Sequence, residues 1–180
     1  GKSTNNGKGL TACLQCAPGQ YVSNTKQPHC DPCHLGTFSV ASNNGLTCSR
    51  CPRGTYQDST GASTCIGCPV GRASNVPGVA ICGDCKDGQF ANTTGFTSCP
   101  LCAPGTYSSQ LPPSSDPTFV RGASACTKCA AGKFALAPGS AKCQDCDTGF
   151  YSPKAGAAEC LRCPAGSYSD AGSSVCTNCT

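Results

Sequence analysis

The twenty cysteines of this chain fall into ten Cys-x-x-Cys pairs, with none left over. The pairs are Cys13/Cys16, Cys30/Cys33, Cys48/Cys51, Cys65/Cys68, Cys82/Cys85, Cys99/Cys102, Cys126/Cys129, Cys143/Cys146, Cys160/Cys163 and Cys176/Cys179. Successive pairs stand 17, 18, 17, 17, 17, 27, 17, 17 and 16 residues apart. A period this regular implies one small unit repeated along the chain, not one globular domain. Composition points the same way. Leu, Ile, Val and Phe are 23 of 180 residues, and Met and Trp are absent, well below the roughly 20% under which an apolar core is hard to build. Cysteine, at 20 of 180, exceeds the roughly 8–10% that marks a disulfide scaffold. Disulfides or metal must therefore stand in for the missing core.

The residues between pairs repeat as well. A glycine stands three positions after each pair: Gly19, Gly36, Gly54, Gly71, Gly88, Gly105, Gly132, Gly149 and Gly166. An aromatic stands five positions after it in Tyr21, Phe38, Tyr56, Phe90, Tyr107, Phe134, Tyr151 and Tyr168, with Ala73 the exception. A second glycine stands four positions before the next pair at Gly9, Gly61, Gly78, Gly95, Gly122, Gly139, Gly156 and Gly172. Gly45 is displaced by one position, and Lys26 breaks the rule. The first glycine, in contexts such as Cys51-Pro52-Arg53-Gly54, reads as a turn that needs positive φ. The segment Gly105-Thr106-Tyr107-Ser108 reads as a short strand, and the polar stretch after it as a loop closing on the second glycine. No segment shows sustained helical periodicity. The chain is expected to be small and disulfide-rich, an elongated tandem-repeat rod of short β-strands and turns with no globular core. Between Cys102 and Cys126 an insertion appears at Gln110-Leu-Pro-Pro-Ser-Ser-Asp-Pro-Thr-Phe119. In a repeat array such an insertion maps to a surface loop.

Cys-x-x-Cys has three uses. Redox catalysis needs a thiolate at a helix start in a βαβ setting, which ten copies set between turns do not provide. Zinc is the stronger rival: two neighbouring pairs could make a four-cysteine site, with His29 and His34 flanking one pair. Zinc modules, however, usually sit on charged, Lys-rich intracellular chains. This chain is rich in Ser, Thr, Gly and Pro, only 12% charged, and carries the sequons Asn92-Thr-Thr94 and Asn178-Cys-Thr180. Disulfides in an oxidising compartment are the expectation, with no metal and no cofactor.

The pattern Cys-Pro-x-Gly-x-Tyr…Gly-x-x-x-Cys-x-x-Cys resembles the cysteine-rich repeat of ephrin receptors, found also in large protist and algal surface proteins, among them the mastigonemes of cilia. Its first half is similar to the one-disulfide loop that opens tumour-necrosis-factor-receptor modules. That loop implies a bond from the second cysteine of one pair to the first of the next. The bonds implied are Cys16–Cys30, Cys33–Cys48, Cys51–Cys65, Cys68–Cys82, Cys85–Cys99, Cys102–Cys126, Cys129–Cys143, Cys146–Cys160 and Cys163–Cys176. The repeats then run 16–30, 33–48, 51–65, 68–82, 85–99, 102–126 (with the insertion 110–119), 129–143, 146–160 and 163–176. Residues 1–16 form a partial repeat and 176–180 the start of another. Pairing first cysteine with first and second with second across neighbouring pairs remains an alternative that sequence leaves open.

The implied pairing leaves Cys13 and Cys179 to bond outside this piece or to another copy. Gly1 stands twelve residues before Cys13, as Gly36 does before Cys48, so the piece is expected to begin and end inside a repeat. It is then either a window on a longer polypeptide or a subunit linked head to tail. The first ten residues are polar and no long apolar run occurs, so neither a signal peptide nor a membrane span is expected.

Catalysis is not expected: the nine acids and two histidines form no nucleophile or acid–base motif. A net charge of +4 spread singly along the chain argues against a nucleic-acid partner. The expected role is structural, a stalk or the shaft of a surface or ciliary filament, with copies of itself or neighbouring repeats as partners. The alternative is a ligand-binding receptor ectodomain or surface antigen, for which Phe119, Val120, Arg121 and Phe150 are the exposed candidates, with packing between units the competing reading of Phe150 and Phe96. Asn92, Asn178, Ser114 and Ser115 are candidate glycan sites. Native mass spectrometry of the purified chain is expected to find no bound zinc, and an intact mass short of two hydrogens per disulfide; stoichiometric zinc would reverse the choice made here.

Overall fold

The computed structural model describes residues 2–3, 14–23, 29–40, 46–111 and 120–180. Nine disulfides join the second cysteine of one pair to the first of the next, from Cys16–Cys30 to Cys163–Cys176. Their Cα atoms lie 5.6–5.8 Å apart, the separation an unforced disulfide prefers. Eight of the loops have separations of 13–15 residues and one, Cys102–Cys126, of 24. Closing a loop of the usual size stabilises by about 3 kcal/mol, and the longer one by only a few tenths more.

Short antiparallel hairpins join a strand inside one loop to the two residues between the cysteines of the next pair. The two-residue strands pair as Gln20–Tyr21 with Asp31–Pro32, Thr37–Phe38 with Ser49–Arg50, and Thr55–Tyr56 with Ile66–Gly67. Further along, Thr106–Tyr107 pairs with Thr127–Lys128, Lys133–Phe134 with Gln144–Asp145, Phe150–Tyr151 with Leu161–Arg162, and Ser167–Tyr168 with Thr177–Asn178. Lys2–Ser3 pairs with Leu14–Gln15, and Arg72–Ala73 with Gly83–Asp84. The Cys85–Cys99 loop carries a single bridge, Gln89 to Leu101. From Gln20–Tyr21 to Ser167–Tyr168 the first strand of a hairpin ends at the aromatic slot, which Ala73 fills in one loop, one residue earlier than the Gly-x-aromatic-Ser reading implies. Among the described residues there is no helix.

The turn that opens each hairpin follows from its residues. In Ala17-Pro18-Gly19-Gln20 the Gln20 N–H donates to the Ala17 carbonyl at 3.0 Å, with Gly19 at φ +84°. Proline followed by a positive-φ glycine is the type II signature. In several loops a hydroxyl reinforces the turn: the Oγ atoms of Thr37, Thr55, Thr106 and Ser167 donate to the carbonyl three residues back at 2.6–2.7 Å.

The chain divides into two compact units. One comprises Gly1–Pro69, Ala73–Gly83 and Thr94–Ser98; the other comprises Val70–Arg72, Asp84–Thr93 and Cys99–Thr180. The same wiring recurs inside each. In the first, Gly19 N–H donates to Ser39, Ser39 N–H to Ala62, and Gly61 N–H to Cys33, at 2.8, 3.1 and 2.8 Å. In the second, Gly105 N–H donates to Ala135, Ala135 N–H to Ala157, and Gly156 N–H to Cys129, at 2.8, 3.2 and 2.8 Å. A loop is thereby bonded to the loop that follows it.

The buried interior is made chiefly of sulfur and small side chains. Cys33, Cys51, Cys68, Cys85, Cys102, Cys129 and Cys146, each the second of its pair, are 0–1% exposed. Beside them lie Val22, Ala91 and Ala135 and the serines Ser39, Ser108, Ser152 and Ser169. The aromatics stay half-exposed along the hairpins. The buried hydroxyls are bonded, as burial requires: Ser39, Ser108 and Ser169 Oγ donate to Gln20, Gln89 and Phe150 of the preceding loop at 3.0, 2.8 and 2.8 Å.

The first glycine also meets the second glycine two loops on. A methyl group on Gly19, Gly36 or Gly54 would overlap the carbonyl of Gly61, Gly78 or Gly95. One on Gly105 or Gly132 would overlap that of Gly156 or Gly172. Gly166 has the same φ of +80° but nothing within 4 Å of such a methyl. Alanine at positive φ costs about 1 kcal/mol from the backbone alone, and overlap adds to it. Gly54→Ala is therefore expected to lose more than about 2 kcal/mol and Gly166→Ala about 1 kcal/mol, read by thermal unfolding with disulfides intact. Equal losses would reject the close-approach argument.

Candidate functional site

Two features could carry function: the contact between loops, present throughout, and the insertion, present once. The contact is built from backbone. The Cys33 N–H donates to the Gly19 carbonyl at 2.8 Å, and the Cys33 carbonyl accepts from the Gly61 N–H at 2.8 Å, so the fully buried cysteine is satisfied on both sides. Cys51, Cys68, Cys102, Cys129 and Cys146 repeat this arrangement. A side chain completes it, since the residue before each second cysteine lies against the second glycine of the following loop. Pro32 lies at Gly61, Arg50 at Gly78, Lys128 at Gly156 and Asp145 at Gly172. Arrangements of this kind hold a neighbouring loop and offer no chemistry for turnover.

The insertion alters the pattern. Gly122 occupies the second-glycine slot in sequence, yet it is absent from the positive-φ glycines that include Gly61, Gly78, Gly95, Gly139, Gly156 and Gly172. The Cys85 carbonyl, which the pattern would pair with the Gly122 N–H, is met instead by the Gln110 side-chain amide at 2.9 Å. Gln110 N–H in turn donates to Asp87 Oδ1 at 2.6 Å. A neck closes the insertion: Leu111 N–H donates to the Arg121 carbonyl at 2.8 Å and Arg121 Nε to the Leu111 carbonyl at 3.1 Å.

The foot of the insertion rests on an ion pair. Arg72 Nε lies 2.7 Å from Asp84 Oδ1, with side chains 10% and 23% exposed, and the same oxygen accepts from Arg121 N–H at 3.4 Å. Arg72 stands in the one loop that lacks the aromatic, beside Ala73. Spacing gives no sign of Arg72, Asp84 or Gln110 as a group, because their partners lie 12 to 37 residues away.

The sequence candidates are placed as follows. Val120 and Arg121 are half-buried and anchor the insertion, which corrects the reading of them as exposed contacts. Phe150 is 40% exposed and Phe96 half-buried. Asn92 and Asn178 are exposed. Cys13, Ser114, Ser115 and Phe119 lie outside the described residues. Among the described residues Cys179 is the free cysteine, and it is exposed. His29 lies 3.4 Å from Asp31, and His34 packs edge-on to Tyr21 with ring centres 6.4 Å apart. Among the described residues no group of three His, Cys, Asp or Glu side chains is placed to hold a metal, and no helix is long and apolar enough to cross a membrane.

The sequence pattern of the family described as tyrosine-protein kinase ephrin type A/B receptor-like matches residues 36–81 and 132–179, together more than half of the chain. The chain belongs to this ephrin-receptor-like family. No curated protein matches it. Each matched segment begins at a post-pair glycine, Gly36 or Gly132, so the ephrin-receptor-like pattern is carried by the loops just described. A disulfide-rich repeat of this family is an extracellular module and not an enzymatic domain type. Replacing Gln110 by Ala in this repeat leaves the buried Cys85 carbonyl without its donor, at about 1 kcal/mol. Exchange of the Leu111 amide is expected to speed up by roughly fivefold in consequence. An unchanged rate would show that the neck stands without that bond.

Proposed function

We propose that this chain is a structural, non-catalytic part of an extracellular stalk, or of the shaft of a cell-surface or ciliary filament of the mastigoneme kind. The observation that carries the reading is the uniformity of its junctions: loop after loop is joined to the next by the same backbone hydrogen bonds. A contact that repeats unchanged turns the number of loops into length, and it asks nothing special of any one loop. Its partners are neighbouring repeats, met either in the same polypeptide or head to tail in other copies. In the second case Cys179 bonds to the first cysteine of the following loop, and such a heterologous contact propagates without closing.

A second reading, a ligand-binding receptor ectodomain or surface antigen, draws on the insertion, which stands on its own closed neck with Leu111 half-exposed beside it. Immunogold electron microscopy of native material separates the two. Label along filaments or stalks is expected, and label on isolated particles that bind a soluble ligand would overturn the shaft. A non-reducing gel then locates the partners. A ladder in steps of one chain, collapsing on reduction, marks linked copies, and a single band puts the neighbouring repeats in one polypeptide.

A further inference from the structure

Two sequons lie on this chain, and the repeat treats them differently. Asn92 follows Ala91, which is fully buried and bonded in both directions: its carbonyl accepts from Gly71 at 2.8 Å and its N–H donates to Ala123 at 3.0 Å. Three residues on, Gly95 is pinned as well, its N–H donating to Cys68 at 2.8 Å. Between these anchors the side chains of Asn92, Thr93 and Thr94 are all exposed, outside any strand. A methyl built on Gly95 meets nothing within 4 Å, so the space beside the sequon is open.

The position of Asn92 in its loop is outward-facing by construction. It follows the buried slot, and the residues in that place elsewhere, Ser23, Asp58, Asn75, Ser109, Leu136, Pro153 and Asp170, are exposed too; only Val40 is half-buried. Among the described residues, none of the backbone hydrogen bonds that join loops uses Asn92.

Asn178 lies in the opposite kind of place. It is paired to Ser167 in a hairpin strand and immediately precedes a second cysteine. In the preceding loops this is the slot whose side chain touches the second glycine of the following loop: Arg50 at Gly78, with atoms 3.2–3.3 Å from a methyl built there, and Asp145 at Gly172, at 3.1 Å. An oligosaccharide on that residue would fill the place of the next loop.

We infer that Asn92 is an N-glycosylation site and that Asn178 is left bare. In the modification the Asn92 side-chain nitrogen takes the anomeric carbon of an oligosaccharide from a lipid diphosphate carrier, the carbon–oxygen bond to the diphosphate breaks, and the amide gives up one proton, as the chain enters the oxidising secretory compartment that its disulfides require. The Asn178 half of the inference rests on the reading that neighbouring repeats are the chain's partners.

The test is to digest native protein, or the full chain secreted from a eukaryotic host. Peptide N-glycosidase in heavy-oxygen water then marks each formerly glycosylated Asn as labelled Asp. Label at Asn92 and none at Asn178 is expected, and Asn92→Gln should abolish the whole enzyme-sensitive gel shift. Label at Asn178, or its absence at Asn92, overturns the inference. The outcomes remain separable from the shaft reading. Filaments with a bare Asn92 sink the glycan alone, whereas a glycan on Asn92 without filaments sinks the shaft alone.

Discussion

From Gly19 to Gly132 the first glycine of a loop sits so close to the second glycine two loops along that no side chain fits between them, and the way those loops meet depends on that approach. Disulfides close the loops one at a time and say nothing about how one lies on another. The glycine contact does, because it lets backbone donors and acceptors of different loops reach hydrogen-bond distance. A buried backbone group must find a partner, and here the partner is always the neighbouring loop. The second cysteines are buried for the same reason: they lie under the bonds that join two loops, and their sulfur fills the volume a larger apolar residue would occupy elsewhere.

The periodic parts of this arrangement were legible in the sequence. The glycine slots, the turn after each pair and the first short strand follow from spacing and from what glycine and proline do locally, whereas its partner strand, between the cysteines of the next pair, has no such signal. What lies inside was not. Ser39, Ser108 and Ser169 look like strand continuations, but their hydroxyls reach a carbonyl 19 residues back, a relation no local pattern carries. The aromatics, one to a loop, are only half-buried, and the buried interior is left to the cysteines and small side chains. Gly122 matches its slot in spacing and departs from it in conformation. The cause is the insertion ahead of it, and the remedy, Gln110, comes from a side chain with no counterpart in the other loops.

Uniform junctions bear on how stability is distributed. Each loop holds together through its own covalent bond, and adjacent loops add a nearest-neighbour term, as in other repeat arrays. Change is tolerated where it leaves that term alone. The insertion is the example: it alters a turn, recruits Gln110 and the Arg72–Asp84 pair, and leaves the flanking pattern in place, with the Cys102 N–H still bonded to Gly88 and the Cys129 N–H to Gly105.

The disulfide pattern has a mechanical consequence. Under tension a chain lengthens by straightening, up to about 3.3–3.6 Å per residue. Here a pull along the backbone crosses each loop by its sulfur bridge, whose ends stand 5.6–5.8 Å apart, and the residues in the loop carry no load. Slack is left only in the short steps between the two cysteines of a pair. Even with every hydrogen bond between loops torn, the chain would reach a hard limit after a small extension, held by covalent bonds alone.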